Sequence, residues 1–380
     1  MNDESPCTLD KLLFTPGPLT TSLTVKQAML HDAGSRDPQF VALVRDIRER
    51  LLQLGGVSRD KGYEAILMQG SGTFGVESVI SSVIPSDGKL LVVINGAYGE
   101  RIATMASRHG IASAILRSDE NQLPDLGGID KTLGRDKAIT HVVAVHCETT
   151  AGILNPVQDI GRSVKMHGRE FIVDAMSSFG AIPLDLATAG IDYLISSANK
   201  CIEGVPGFAF VLARRDALLR SAGRAQTLSL DLFAQWQGLE KDGQFRFTPP
   251  THALLAFDQA LKELDAEGGV GGRSKRYCAN HRALLEGMKA MGFQPYLVPE
   301  VQSYIITTFH YPKDARFVFA DFYQRLFDKG FVIYPGKLTK LDCFRIGNIG
   351  RIGEEEIRAL LGCIAETLKD LGLSVPLKTY

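Results

Sequence analysis

Residues 171–200 read FIVDAMSSFGAIPLDLATAGIDYLISSANK. Two short apolar runs, Phe171–Asp174 and Tyr193–Ser196, carry the β-branched and aromatic residues of strands, and each gives way to small polar residues. Asp174 closes the first run and Lys200 follows the second. In an open α/β sheet, ligands gather beyond the carboxyl ends of the strands, so this stretch puts a carboxylate and an amine on the ligand-binding edge.

The pattern extends in both directions. Upstream, Glu64–Met68 (EAILM) is a strand candidate, followed by Gly-Ser-Gly-Thr-Phe-Gly at 70–75. A helix then carries Val76, Val79, Ile80 and Val83 on one face, at spacing i, i+3, i+4, i+7. Leu90–Ile94 and His141–Val145 are further strands, and the helices after them stop near Gly110 and Gly168. Strands alternating with helices predict a mostly parallel sheet flanked by helices. Phe208–Leu212 follows Tyr193–Ser196 through a glycine-bearing turn, which suits antiparallel pairing of these two. Beyond Thr251 the pattern changes. A helical stretch over 251–269 (THALLAFDQALKELDAEGG) ends in paired glycines, a second runs from Arg273 to Met291, and Ser303–His310, Phe331–Tyr334 and Phe344–Ile346 read as strands before a final helix after Gly353. The expectation is a large domain over 21–268 and a smaller α+β domain over 269–380, preceded by an N-terminal segment, 1–20.

Composition narrows the function classes. A chain of 380 residues with 22% charged residues and a net charge of −1 has no electrostatic basis for bulk nucleic-acid or membrane-surface binding. No apolar stretch is long enough for a membrane helix, and the N-terminus carries early acids in place of a signal sequence. The six cysteines are scattered without a CxxC pair, so reduced thiols in the cytoplasm are expected, with neither disulfide framework nor metal site.

The loop at 70–75 has the form GxGxxG of a dinucleotide fingerprint. That reading needs an acid at the end of the next strand for the ribose, and Leu90–Ile94 ends in Asn95-Gly96; the first acid is Glu100, inside the following helix. What survives is a helix N-terminus with the hydroxyls of Ser71 and Thr73, suited to one phosphate or to a plain helix cap. Asp174 and Lys200 add the rest of what pyridoxal 5′-phosphate chemistry asks for. A lysine condenses with the cofactor aldehyde, a carboxylate keeps the pyridine nitrogen protonated, and a helix N-terminus holds the phosphate. Taken singly, an aspartate after a strand is usually a turn former and a lysine usually a solvated charge. Lys200, however, lies between Ser196-Ser197-Ala198-Asn199 and Gly204-Val205-Pro206-Gly207, a tightly turned setting.

At this point the chain resembles a known family. FIVDAMSSFGAIPLD and YLISSANKCIEGVPGFAFV are similar to the 2-aminoethylphosphonate–pyruvate aminotransferases, in the class V group of fold-type I pyridoxal-phosphate enzymes. LLFTPGPLTTS, QGSGTFGVES, NGAYGER, HCETTAGILNP, FRFTPPTH, GFVIYPGK and CFRIGNIG extend the likeness over nearly the whole chain. The resemblance implies that Lys200 is the cofactor-linked lysine and proton shuttle and that Asp174 partners the pyridine nitrogen. It assigns Ser71, Gly72, Thr73 and Asn199 to the cofactor phosphate, Thr149 to the ring hydroxyl, and Tyr98 to stacking on the ring. Thr248 would reach the cofactor phosphate of a neighbouring subunit, making a homodimer with shared active sites. Arg345 would grip the acidic end of the substrate, with Gly17 of Thr15-Pro16-Gly17-Pro18 lining the same pocket. The chain departs from the family at Ala33–Asp37, where relatives carry an aromatic-acidic cluster. The implied reaction moves the amino group of 2-aminoethylphosphonate to pyruvate. The alternatives are another class V transaminase acting on an α-amino acid and glyoxylate, a cysteine desulfurase (for which Cys343 is poorly placed), and a nicotinamide dehydrogenase.

Overall fold

The computed structural model describes residues 10–338 and 341–377. Cys7 and the first nine residues of the N-terminal segment lie outside the described residues. The centre is a seven-stranded sheet. In chain order its strands are β1 (Tyr63–Gln69), β2 (Lys89–Ile94), β3 (Ala112–Arg117), β4 (Ile139–Val145), β5 (Glu170–Asp174), β6 (Tyr193–Ser197) and β7 (Phe208–Arg214). The spatial order is β1-β7-β6-β5-β4-β2-β3. Neighbours pair in parallel except at β7, which runs antiparallel to β6, as the short turn suggested, and to β1. All residues of β6 and the last four of β5 are buried, as expected of strands covered on both faces. Strand β3 has no counterpart in the sequence reading: it is the edge strand, partly exposed throughout, so its apolar signal is weak.

Each strand that ends on the ligand edge is followed by a turn or a helix start. After β1 comes α1 (Gly72–Val83), with Val76, Val79, Ile80 and Val83 buried, and after β2 comes α2 (Ala97–Arg108). The crossover from β5 to β6 consists of turns, not a helix. One buried cluster runs from Val25 to Leu264 and encloses this sheet. A second gathers Phe14 with residues between Leu284 and Leu377. It lies around a three-stranded antiparallel sheet of β8 (Ile306–His310), β9 (Tyr334–Pro335) and β10 (Cys343–Gly347), in the order β8-β10-β9. The helices α3 (Thr251–Ala266) and α4 (Gly269–Ala290) join the two regions.

Three local expectations need correction. Phe331–Tyr334 is not one strand: Phe331–Val332 pairs in parallel with Leu12–Leu13, and Tyr334–Pro335 pairs with β10. The first of these partners is more than 300 residues away in the chain, so local pattern could not reveal the break. The strand expected at Ser303–His310 begins only at Ile306, because Ser303 donates its amide to Gly152 O across the loop. Helix α4 begins at Gly269, four residues before Arg273, because Gly272 approaches the carbonyl of Glu267 so closely that a Cβ there would lie 1.8 Å from it.

Between these regions sits a buried ionic hub. Glu203 has φ +66°, the one positive φ found outside glycine among the described residues. Its carboxylate oxygen Oε1 accepts from Arg276 Nη2 at 2.7 Å and from the Tyr277 hydroxyl at 2.5 Å, with Arg273 Nη1 at 3.3 Å. Its amide donates to Lys200 O at 2.7 Å. Arg273 in turn donates to Cys201 O. The hub thus ties the turn after Lys200 to α4. Glu203→Ala would leave these guanidiniums buried with one carboxylate fewer. We expect it to lower the unfolding free energy by about 3–5 kcal/mol in denaturant titration of the cofactor-loaded protein, and a loss under about 1 kcal/mol would show that the hub contributes little.

Candidate active site

A cavity of about 200 Å³ opens at the carboxyl edge of the sheet. Ser71, Gly72, Thr73, Tyr98, Asp174, Asn199 and Lys200 all line it. The sequence scattered these residues over 130 positions; the parallel strands β1, β2, β5 and β6 all end here and bring them together.

At one end is the N-terminus of α1. Ser71 is its N-cap in extended backbone, and its side chain makes no capping hydrogen bond. The first amides of a helix lack intrahelical acceptors, so an end left uncapped by its own side chain is suited to an anion. Gly72 lies close against Met176: a Cβ there would lie 2.3 Å from Met176 Sδ and would have to push that side chain aside. Asn199 sits one residue before Lys200 and accepts from the Ser197 hydroxyl at 3.1 Å.

Across the cavity is Asp174. Its Oδ1 accepts from the Met176 amide at 2.9 Å. Burial pushes its carboxyl up to about 6; the Met176 amide and the Lys200 charge oppose this, and the Glu148 charge adds to it. The carboxylate has no cation within ion-pair distance among the described residues. It is therefore a desolvated anion suited to a protonated ring nitrogen. With the helix end and Lys200 it fits the three attachment points of pyridoxal phosphate.

Lys200 Nζ donates to Pro16 O at 2.5 Å. Gly17 has φ +116°, and a Cβ on it would lie 2.7 Å from Lys200 Nζ, so only glycine lets the N-terminal segment approach the amine. Burial lowers the Lys200 amine from its usual range, partly offset by Tyr98, Cys201 and Asp174. Arg345, on β10, is buried; its Nε donates to Pro335 O at 3.0 Å and its Nη1 to Thr149 O at 2.9 Å. Thr149 is itself buried, and its side chain helps hold the Tyr98 phenol below its ordinary range. Thr248 is exposed, outside the cavity, with its carbonyl held by Gln69 Nε2 at the end of β1.

Several groups at the site escaped the sequence reading. Glu148 is fully buried and caps α2: its carboxylate accepts from the amides of Tyr98 and Gly99 and from Thr150. Arg101 lines the cavity and donates to Thr73 Oγ1 at 3.2 Å. It lies three residues after Tyr98, one helical turn on, and that spacing was a usable signal. Lys337 Nζ lies 4.0 Å from the centroid of the Tyr98 ring, and nothing local in YPGK announces it.

Two alternatives lose their footing. Asn95, where a ribose acid would stand, is buried and exchanges side-chain hydrogen bonds with Asn155. The cysteines nearest the site are buried thiols, Cys147 pushed up to about 12 and Cys201 higher still by burial, and Cys343 is buried in β10. None is the reactive loop thiolate a desulfurase needs.

Residues 23–319 match the class-V aminotransferase family, and the chain belongs to it. Its cofactor is pyridoxal phosphate, and its reaction class is transamination. Within that class, 362 residues are 53% identical to the 2-aminoethylphosphonate–pyruvate transaminase of Syntrophobacter fumaroxidans, over 95% of this chain and 97% of that protein. The protein of the same name from Klebsiella pneumoniae is 53% identical over 355 residues, 93% of this chain and 96% of its own. Among solved structures, the ureidoglycine–glyoxylate aminotransferase of Bacillus subtilis superposes with a TM-score of 0.89 at 23% identity, covering 98% of this chain and 96% of that one. The pyridoxamine–pyruvate aminotransferase of Mesorhizobium loti gives 0.88 at 23%, covering 97% and 95%. These two show the shared fold.

Proposed function

We propose that this enzyme transfers the amino group of 2-aminoethylphosphonate to pyruvate, releasing phosphonoacetaldehyde and L-alanine. The reading rests on one observation above the others: Lys200, Asp174 and the uncapped end of α1 meet in one cavity, in a chain 53% identical to transaminases of that name.

When bound, the cofactor supplies an electron sink for the charge left on the substrate carbon. The chain's own residues do the rest. Asp174 holds the proton on the ring nitrogen, and the α1 end with Ser71, Gly72, Thr73 and Asn199 holds the phosphate. Tyr98 would pack against the ring, and Thr149 would serve its hydroxyl. Lys200 Nζ takes a proton from the amine-bearing carbon and returns it one position away; burial favours the neutral amine this requires. Arg345 offers a planar fork of donors to the acidic end of each substrate, and Gly17 leaves room beside Lys200.

The functional unit in this reading is a homodimer with shared sites. Thr248 is exposed beside exposed Phe247, and Phe74 and Leu228 are exposed as well, a surface suited to a second copy that would receive Thr248 at its phosphate. The division into 21–268 and 269–380, after the segment 1–20, belongs to the same reading and is supported by the two buried clusters. So does a cytoplasmic location, supported by the buried, unpaired Cys147, Cys201, Cys343 and Cys363. Among the described residues no helix is long and apolar enough to cross a membrane.

The test is a half-reaction. Adding 2-aminoethylphosphonate alone to the purified enzyme is expected to bleach the visible absorption of the bound cofactor, and pyruvate is expected to restore it with formation of alanine. Bleaching by an α-amino acid but not by the phosphonate would give the function to a different class V transaminase.

A further inference from the structure

Three cations stand near Tyr98 without a carboxylate of their own. Lys337 Nζ lies 4.0 Å and Arg101 Cζ 5.0 Å from the ring centroid. Arg345 is the third, and both of its hydrogen bonds go to backbone carbonyls, those of Thr149 and Pro335. None of the three has an ion-pair partner among the described residues, whereas the surface arginines nearby do, as Arg117 does with Glu100 at 2.7 Å. Burial and the Glu148 charge oppose ionisation of the Tyr98 phenol, yet Lys200, the Thr149 hydroxyl and Lys337 together hold it below its ordinary range, and the phenol in turn favours the charge of Arg345, so positive potential gathers around this ring.

Such a basin is built to receive anions, and its parts divide. Arg101 touches Thr73 at the α1 end, so its charge belongs with the cofactor phosphate. Arg345 and Lys337 remain for the substrate. Arg345 donates to the carbonyl of Pro335, two residues before Lys337, so both cations hang from the same β9–β10 corner. The two substrates differ in what they ask of that corner. Pyruvate presents one planar carboxylate with one charge, which one guanidinium fork matches. A phosphonate is tetrahedral, with three oxygens and a second ionisation near neutral pH, so its second charge and third oxygen lie out of the plane of that fork. A lysine amine is a mobile point charge on a long stem, able to leave a weak rest position over an aromatic face for a stronger anion.

We propose that Lys337 is the residue that selects the phosphonate: it pairs with the second charge of a phosphonate dianion while Arg345 serves both substrates. This rests on the reading of the donor as 2-aminoethylphosphonate. In the proposed cycle Lys337 engages when the donor is bound and returns to the Tyr98 ring when the carboxylate acceptor replaces it.

The test compares Lys337→Met, Lys337→Arg and Arg345→Ala with the wild-type holoenzyme in single-turnover reactions with 2-aminoethylphosphonate and with L-alanine. Lys337→Met is expected to lose roughly 30-fold in kcat/KM with the phosphonate, mostly in KM, and less than about threefold with alanine. Lys337→Arg should recover most of the loss, and Arg345→Ala should lose activity with both substrates. The Lys337→Met defect should also shrink as pH falls below the second ionisation of the phosphonate, because a monoanion no longer needs the second cation. Equal losses on both substrates would mean that Lys337 acts only through Tyr98 packing, and no loss on the phosphonate would remove it from recognition; either overturns the proposal. A wild-type enzyme that converts alanine but not the phosphonate would instead overturn the reading of the donor, and Lys337 selection with it.

Discussion

Replacing Lys200 with alanine is expected to lower transamination by roughly 10,000-fold or more and to remove the visible absorption of the bound cofactor. The size follows from the absence of a substitute within reach. Of the other titratable groups lining the cavity, Asp174 is the proposed partner of the ring nitrogen and Arg101 cannot act as a base. Glu148 has its oxygens filled by the amides of Tyr98, Gly99 and Thr150. His146 is buried, bonded to Ser178 and pushed down to about 4 by burial. The Tyr98 phenol is the nearest remaining group, and the cations around it stabilise its charge, which makes it a weaker base than an ordinary phenolate. The measurements are single-turnover rates with 2-aminoethylphosphonate and the absorption spectrum. A variant that kept more than about 1% of the rate would move the proton transfer to another residue. Lys200→Arg should not rescue, since a wider head group must fit where a single Cβ on Gly17 would already lie 2.7 Å from the amine.

Local sequence reaches some residues of this site and not others. Asp174 and Lys200 were legible because strand endings are local: FIVD and YLIS announce themselves, and topology alone then sends both residues to one edge. The helix face of Val76, Val79, Ile80 and Val83 was legible for the same reason. Arg345 could be placed on a buried strand by its neighbours Phe344 and Ile346, but not beside Thr149, since that contact spans 196 positions and two sheets. Strand β3 was lost because an edge strand has no continuous apolar run, and the split of Phe331–Tyr334 because its partner lies at Leu12–Leu13. Glu203 was invisible in another way. A glutamate three residues before a proline reads as a surface loop, and only the fold reveals two arginines and a tyrosine converging on it. Lys337 belongs to the same category: its meaning is set by a ring 239 positions earlier.

Asp174→Asn is expected to separate function from stability, with opposite signs for the two. In the cofactor-free chain, burial raises the Asp174 carboxyl from its ordinary 3.8 to about 6. The folded state then holds a proton that the unfolded chain has already released. Stability therefore falls as pH rises through the window between these two values, and stays lower above it. A shift of that size corresponds to a cost on the order of 3 kcal/mol at pH 8. Asparagine keeps the shape and can never carry the charge. The cofactor-free variant should accordingly melt at a higher temperature than cofactor-free wild type at pH 8, and the gap should narrow toward pH 5, where the wild-type carboxyl is largely protonated. A positively charged ring nitrogen reverses the balance by giving the carboxylate its partner, so the wild type should gain more from cofactor binding than the variant does. Activity moves the other way: without an anion to keep the ring nitrogen protonated, turnover should fall by roughly 100- to 10,000-fold. Scanning calorimetry of both proteins, with and without cofactor at pH 5 and 8, together with the steady-state rate, measures the two opposite effects. If the two cofactor-free proteins melted together at pH 8, the buried carboxylate would not be the strained group that makes this cavity ready for its cofactor.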